Sequence, residues 1–136
     1  MDSRERIKNV RNFLVSYGTN KELDFNSFEL LIIEPKTIDN KTLRNLKSMG
    51  KIVIAYISVM EIDSTSPVYS LLKDEDFLIV DGERYLNKDF DTELINLGSS
   101  RWKAIFTHSV GNLLLNFGFD GVFLDTIGDV EFKNIP

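Results

Sequence analysis

The feature that most constrains this fold is the apolar run at the centre of Lys51–Val59. A run this short and this apolar predicts a strand that is buried on both faces, as in a parallel sheet. Phe28–Ile33 has the same character and stops before Pro35, because proline cannot donate to a sheet ladder. We predict two further strands, at Phe13–Tyr17 and at Gly121–Leu124.

Segments with helical spacing lie between these runs. Thr37–Met49 carries apolar residues at helical intervals, and Gly50 follows it as the expected helix-ending glycine. Thr37 and Asp39 are its candidate N-caps. Strands and helices in alternation predict right-handed βαβ units, and therefore an α/β fold with a parallel sheet.

A longer helix is predicted before the last strand. Ser99 or Ser100 caps its start, and Gly118 closes it. Its buried stripe is predicted to comprise Trp102, Ile105, Phe106, Val110, Leu113, Leu114 and Phe117.

The stretch between the third strand and this helix has weaker patterns. Pro67 suits the first turn of a short helix that runs through Leu72. Phe77–Val80 is extended, and the Asp81-Gly82 pair after it is typical of a turn. We expect Glu83–Gly98 to be an irregular loop.

Composition excludes several kinds of chemistry. The chain has no cysteine and a single histidine, His108, so disulfides, thiol catalysis and a histidine-rich metal site are excluded. A net charge of -5 argues against a nucleic-acid partner, since phosphate binding needs clustered basic residues. The start of the sequence has no apolar run, which predicts no signal peptide. No window reaches the roughly 18 apolar residues of a membrane span, so we expect no membrane partner.

Polar side chains follow the predicted strands at their carboxyl ends. They are Tyr17, Glu34, Ser58 with Glu61, and Asp125. Ligands and catalytic groups lie at this edge in open α/β folds and in α/β barrels. These residues therefore define a candidate site, and Asp125 is its predicted centre.

Four blocks of sequence carry a family resemblance. They are Tyr17-Gly18, Ile33-Glu34-Pro35, the segment from Lys51 to Glu61, and the segment from Gly118 to Thr126, with Trp102 opening the preceding helix. In these blocks and their order, the sequence resembles glycoside hydrolase family 114, the endo-α-1,4-polygalactosaminidase-like proteins. The resemblance implies a (β/α)₈ TIM barrel that hydrolyses a galactosamine-containing polysaccharide without a cofactor. Members of this family are often secreted.

The resemblance also implies roles for particular residues. Asp125 matches the catalytic acidic residue of the family's fourth strand, while Tyr56, Ser58 and Glu61 match groups that line its cleft. We expect Asp125 to act as nucleophile or base, and Glu61 as acid or as a substrate-binding carboxylate. Paired carboxylates in such enzymes lie about 5–9.5 Å apart. The expected sugar contacts are Tyr17, Glu34, Tyr56 and Ser58.

Two departures from the family pattern bear on activity. Met60 stands where relatives often have glycine before the glutamate. A complete barrel needs about 200 residues, whereas this chain has 136. We therefore expect one partial domain over residues 1–136, with about four βα units, truncated before the family's second catalytic carboxylate. Pairing with a second copy or with a complementing C-terminal half would cover its apolar edges.

Structural interpretations remain open for the same residues. Asp125 could cap a helix or organise a loop, Glu61 could be a solvated loop carboxylate, and Glu34 could simply end a strand. We expect a turn role for Asp120 and a surface position for His108.

Two further expectations concern the rest of the chain. Trp102 is expected in the core, and Asp74–Asp76 in a solvated loop. A non-catalytic carbohydrate- or partner-binding domain is the alternative function. A flavodoxin-like binding domain is disfavoured, because Gly18 stands alone after the first strand without a glycine-rich phosphate loop.

Overall fold

The structure is a computed structural model that describes residues 2–16 and 24–127. The strands in these ranges are β1 Phe13–Ser16, β2 Leu30–Ile33, β3 Ile52–Ser58, β4 Glu61–Ile62, β5 Ile79–Val80, β6 Glu83–Arg84, β7 Leu86–Asn87, β8 Thr92–Leu94 and β9 Gly121–Asp125. The helices are α1 Ser3–Ile7, α2 Asn40–Ser48 and α3 Ser100–Asn112, which continues into a π-helical turn at Leu113–Phe117. Single 3₁₀ turns lie at Phe25–Ser27, Pro35–Thr37, Tyr69–Leu71 and Asp74–Asp76.

The main sheet has four strands in the order β1-β2-β3-β9. The first three are parallel, with Leu30 of β2 opposite both Phe13 and Ile52. The last strand runs the same way beside β3, since the Asp120 amide binds the Val53 carbonyl before β9 begins and the Val59 amide binds the Asp125 carbonyl where β9 ends. The predicted α/β fold with a parallel sheet is therefore confirmed.

The described chain forms two compact units, one within Met1–Ile57 and Val110–Phe123, the other within Ser58–Ser109 and Leu124–Pro136. Alternate residues of β2 and β3 fill two cores in the first unit. Leu31 and Val53 pack with α2 in one core, while Ile32 and Ile54 pack in the other. Burial on both faces is the reason these strands are continuously apolar.

The second unit has a separate core of Ile62, Phe77, Ile95 and Trp102. It contains the antiparallel sheet β4-β8-β7 and the hairpin β5-β6. The expectation of an irregular loop over Glu83–Gly98 is wrong, because β6, β7 and β8 lie there. Strands of two or three residues are too short to show an alternating pattern. The predicted turn is confirmed, with positive φ at both Asp81 and Gly82.

The first long helix starts later than the sequence suggests. Asp39 is the N-cap of α2, and its carboxylate accepts a hydrogen bond from the Thr42 amide at 2.7 Å. Thr37 belongs instead to the preceding 3₁₀ turn. Gly50 has a φ of 82°, as expected for a glycine after a helix. The short helix predicted through Leu72 is only a 3₁₀ turn.

The predicted buried stripe of α3 is only partly correct. Trp102 is buried, but Leu114 and Phe117 are 36% and 44% exposed. Both lie in the π-helical turn, whose wider spacing rotates side chains away from a face defined by α-helical periodicity. Gly118 ends this turn with a φ of 85°, as predicted. No helix in the described ranges has the length and hydropathy to span a bilayer.

Candidate active site

Asp125 is the last residue of β9 and is half-buried. Its backbone carbonyl accepts a hydrogen bond from the Val59 amide at 3.0 Å. Val59 is held in turn by Trp102, whose indole nitrogen donates to the Val59 carbonyl at 3.0 Å. The expected core position of Trp102 is therefore confirmed, and its ring nitrogen anchors the backbone that binds Asp125.

Thr126 follows Asp125 with a φ of 65°, in the left-handed region. Such a conformation costs a β-branched residue about 1–3 kcal/mol. Its hydroxyl accepts a hydrogen bond from the Met60 amide at 3.0 Å and lies 2.8 Å from the Ser58 hydroxyl. Sequence reasoning missed Thr126 as a structural element, because nothing about its residue type indicates a left-handed turn.

Glu61 lies in β4 and is only 9% exposed. Asn87 Nδ2 donates to its Oε1 at 2.9 Å, and Thr92 Oγ1 donates to its Oε2 at 2.7 Å. Both donors come from the hairpin β7-β8. The alternative of a solvated loop carboxylate is wrong, because Glu61 is buried and held through both oxygens. Its catalytic or substrate-binding role stays a prediction.

Ser58 connects the segments that carry the two carboxylates. Its hydroxyl pairs with that of Thr126, which follows Asp125, and it accepts the Glu61 amide at 3.3 Å. The second unit therefore brings three of the predicted site residues together: Ser58, Glu61 and Asp125.

Of the remaining predicted site residues, Glu34 and Tyr56 belong to the first unit. Glu34 follows β2, and its carboxylate pairs with Lys36 at 3.2 Å. Tyr56 lies in β3 and stacks on Phe123 with 6.1 Å between ring centroids. Tyr17 lies outside the described residues. The predicted sugar contacts of these three residues stay predictions.

Asp120 stands at the start of β9 and does more than form a turn. Its side chain is buried, accepts the Val53 amide at 2.9 Å and lies 3.4 Å from Lys47 Nζ. Lys47 also donates to the Gly118 carbonyl at 2.6 Å. The arrangement ties α2 to the start of β9, so the role of Asp120 is structural.

The expectation of a solvated loop for Asp74–Asp76 is wrong at Asp76, which is 2% exposed. Its carboxylate accepts the Ser99 hydroxyl at 2.6 Å and the Lys73 amide at 2.8 Å, and lies 2.9 Å from Arg101 Nε. Ser99 in turn caps α3 by accepting the Trp102 amide at 2.9 Å. Burial opposes ionisation, but these hydrogen bonds and Arg101 outweigh it and lower the pKa of Asp76 below its ordinary 3.8.

His108 and possible metal ligands lie outside the candidate site or do not cluster in the described residues. His108 is exposed on α3, as expected. Within residues 2–16 and 24–127, no group of three or more acidic or histidine side chains has the geometry of a metal site. The candidate site itself contains the carboxylates of Glu61 and Asp125 and the hydroxyl of Ser58, groups that suit acid, base or nucleophilic chemistry on a polar substrate.

Comparison with known proteins gives both a family and a fold. No protein of curated function matches this chain. Ega3 of Aspergillus fumigatus, solved in complex with galactosamine, superposes with a TM-score of 0.70 at 21% identity over 90% of this chain and 45% of Ega3. The glycoside hydrolase domain of PelA from Pseudomonas aeruginosa gives 0.74 at 19% identity, over 92% of this chain and 48% of that domain.

These similarities to solved structures show a shared fold, and the chain spans a little under half the length of each, 45% and 48%. The sequence profile of glycoside-hydrolase family GH114 matches residues 5–134, which is nearly the whole chain. The chain therefore belongs to glycoside-hydrolase family GH114.

Proposed function

We propose that this chain takes part in the hydrolysis of glycosidic bonds in a galactosamine-containing polysaccharide. The observation that carries the proposal is the family match over residues 5–134, which includes Asp125 at the carboxyl end of a parallel strand. Support comes from Ega3, a structural neighbour that was solved with galactosamine.

Asp125 is the proposed reacting carboxylate, acting as nucleophile or base. Glu61 is the proposed acid or substrate-binding carboxylate. The two donors on Glu61 fix its orientation, and pre-orientation of a carboxylate suits recognition of one sugar substituent. Two carboxylates also suit the ammonium group of a galactosamine unit, because their charge is opposite to that of the amine. No cofactor enters this scheme.

Four residues are proposed to contact sugar hydroxyl or amine groups. They are Tyr17, Glu34, Tyr56 and Ser58. Hydroxyl and carboxylate groups are suitable for this purpose, because a sugar offers both hydrogen-bond donors and acceptors. Stacking on Phe123 orients the Tyr56 ring.

The finer fold that we propose is the first half of a (β/α)₈ TIM barrel. The sheet order leaves β1 and β9 at its two outer positions, and each carries an exposed apolar side chain: Phe13 is 62% exposed and Leu124 42% exposed. A complementing C-terminal half or a second copy would cover these strands and supply a further carboxylate. Light scattering tests the pairing, because a stable monomer without aggregation would contradict it.

Reducing-sugar release from a galactosamine polymer tests the catalytic proposal. We expect wild type to release sugar and Asp125→Asn to lose at least about 100-fold in rate, the scale of removing one acid–base group. Glu83→Gln is the matched control, since Glu83 is an exposed carboxylate in the second unit. Equal silence of wild type and Asp125→Asn would refute catalysis by this chain alone.

A non-catalytic carbohydrate- or partner-binding domain is the second candidate. The observation that favours it is the coverage of under half of each solved relative, 45% and 48%, because the family resemblance implies that the second catalytic carboxylate lies in the other half. Calorimetric titration with galactosamine oligomers separates the two functions. Binding without sugar release supports the second, whereas release that depends on Asp125 supports the first.

A further inference from the structure

We propose that Thr126 is a positioning residue that fixes Asp125 through a hydroxyl pair with Ser58. The inference deepens the proposed function and rests on it, since Asp125 is taken as the reacting carboxylate. Thr126 is not among the catalytic and sugar-contacting residues proposed above.

Two consecutive amides hold two consecutive residues at the end of β9. The Val59 amide binds the Asp125 carbonyl at 3.0 Å, and the Met60 amide binds the Thr126 hydroxyl at 3.0 Å. Strand β3 has already ended at Ser58, so these contacts extend its pairing beyond the regular ladder. Met60 is buried, and its amide would lose this partner if the hydroxyl were removed.

The residue type fits this role. Glycine would adopt a φ of 65° with less strain but would carry no hydroxyl. The β-branched side chain of threonine has few rotamers, so its hydroxyl is held in one direction. The two hydrogen bonds of the Thr126 hydroxyl offset the backbone strain. Serine could make the same two hydrogen bonds, because it also carries a hydroxyl on Cβ.

The hydroxyl pair also retains one proton to donate. Ser58 and Thr126 together carry two hydroxyl protons, and their mutual hydrogen bond uses one of them. The amides of Met60 and Glu61 are donors, so they occupy acceptor positions on the pair. If Thr126 donates in this pair, the second proton belongs to Ser58 and can be donated to a sugar oxygen, which agrees with the proposed sugar contact of Ser58.

Three substitutions separate the hydroxyl from the backbone strain. Thr126→Val keeps the branched shape and removes the hydroxyl, Thr126→Ser keeps the hydroxyl, and Thr126→Gly relieves the strain but also lacks the hydroxyl. NMR provides two readouts. The first is amide hydrogen exchange at Val59 and Met60, and the second is the chemical shift of the Asp125 side-chain carboxyl carbon. The amide of Val53, which binds Asp120, reports whether the fold is intact.

We expect exchange at Val59 and Met60 to rise about tenfold or more in Thr126→Val and Thr126→Gly, and less than about threefold in Thr126→Ser. The Asp125 resonance should move in the first two variants and stay in the third. Where sugar release is measurable, Thr126→Val should lower kcat with little change in KM, whereas Thr126→Ser should keep kcat close to that of wild type.

Unchanged exchange at Val59 and an unmoved Asp125 resonance in Thr126→Val would overturn the inference, whether or not the chain is active. If Thr126→Val fails to fold, the comparison of Thr126→Gly with Thr126→Ser decides, and equal behaviour of the two refutes a role for the hydroxyl. If wild type releases no sugar, the proposed function is refuted, but the exchange and resonance data still show whether Thr126 fixes Asp125.

Discussion

Removing the buried charge of Asp76 is the sharpest stability test in this molecule. The substitution Asp76→Asn keeps the shape of the side chain but puts an amide NH₂ where one carboxylate oxygen accepts a hydrogen bond. One of the two donors, the Ser99 hydroxyl or the Lys73 amide, then loses its acceptor. The ion pair with Arg101 is lost as well.

The expected cost follows from these contacts. A hydrogen bond to a charged group contributes about 1.5–3 kcal/mol. The Arg101 pair adds less, because its side chain is 38% exposed and its Nε makes no aligned hydrogen bond with any described residue. We expect Asp76→Asn to lower the free energy of unfolding by about 3 kcal/mol at neutral pH, a large share of the typical 5–15 kcal/mol.

Urea unfolding followed by tryptophan fluorescence measures this loss. Trp102 is the single tryptophan of the chain, and its amide binds the Ser99 hydroxyl that Asp76 holds. With a slope of about 2 kcal/mol per molar urea, the midpoint should fall by about 1.5 M. Glu83→Gln is the control, and its midpoint should match that of wild type.

The pH dependence gives an independent check. Because the pKa of Asp76 is lowered on folding from 3.8, its charge stabilises the fold above that value, and this contribution is lost as the pH falls through the lowered pKa. The difference between wild type and Asp76→Asn should therefore be largest near neutral pH and shrink in acid. A difference below about 0.5 kcal/mol at neutral pH, the usual range for surface substitutions, would refute the reasoning.

Three further predictions concern contacts elsewhere. Trp102→Phe keeps an aromatic ring but removes the indole N–H that donates to the Val59 carbonyl. Unfolding followed by circular dichroism should show a loss of about 1–2 kcal/mol, and no loss would contradict this contact. Lys47→Met removes the cation that pairs with Asp120 and should lower the free energy of unfolding by about 1 kcal/mol. If charge is the origin, this difference should be smaller in 1 M salt. Gly118→Ala should cost about 1 kcal/mol from its φ of 85° alone, because an added Cβ meets no atom within 4 Å, so a much larger loss would indicate a clash.

The parallel sheet could be predicted because burial on both faces leaves a direct trace in the sequence. Leu31 and Ile32 point into different cores, so neither position admits a polar residue. The same reasoning found β9 and the strand-end position of Asp125. It required only a short apolar run and the polar residue after it.

The support of the site could not be predicted in the same way. The donors to Glu61 come from Asn87 and Thr92, which lie on strands too short to show a period. The burial of Asp76 depends on Ser99, 23 positions later in the chain. Contacts of this kind follow from tertiary packing, which local patterns do not record.

The hairpin that holds Glu61 suggests where the surface of this protein could be redesigned. Its two hydrogen-bond donors, Asn87 and Thr92, pair across the base of the hairpin, while residues 88–91 form the turn beyond them. Phe90 at the tip is 75% exposed. Loop tips of this kind accept insertions readily. A grafted loop at 88–91 could therefore add new contacts beside the carboxylate while the base of the hairpin keeps Glu61 in place.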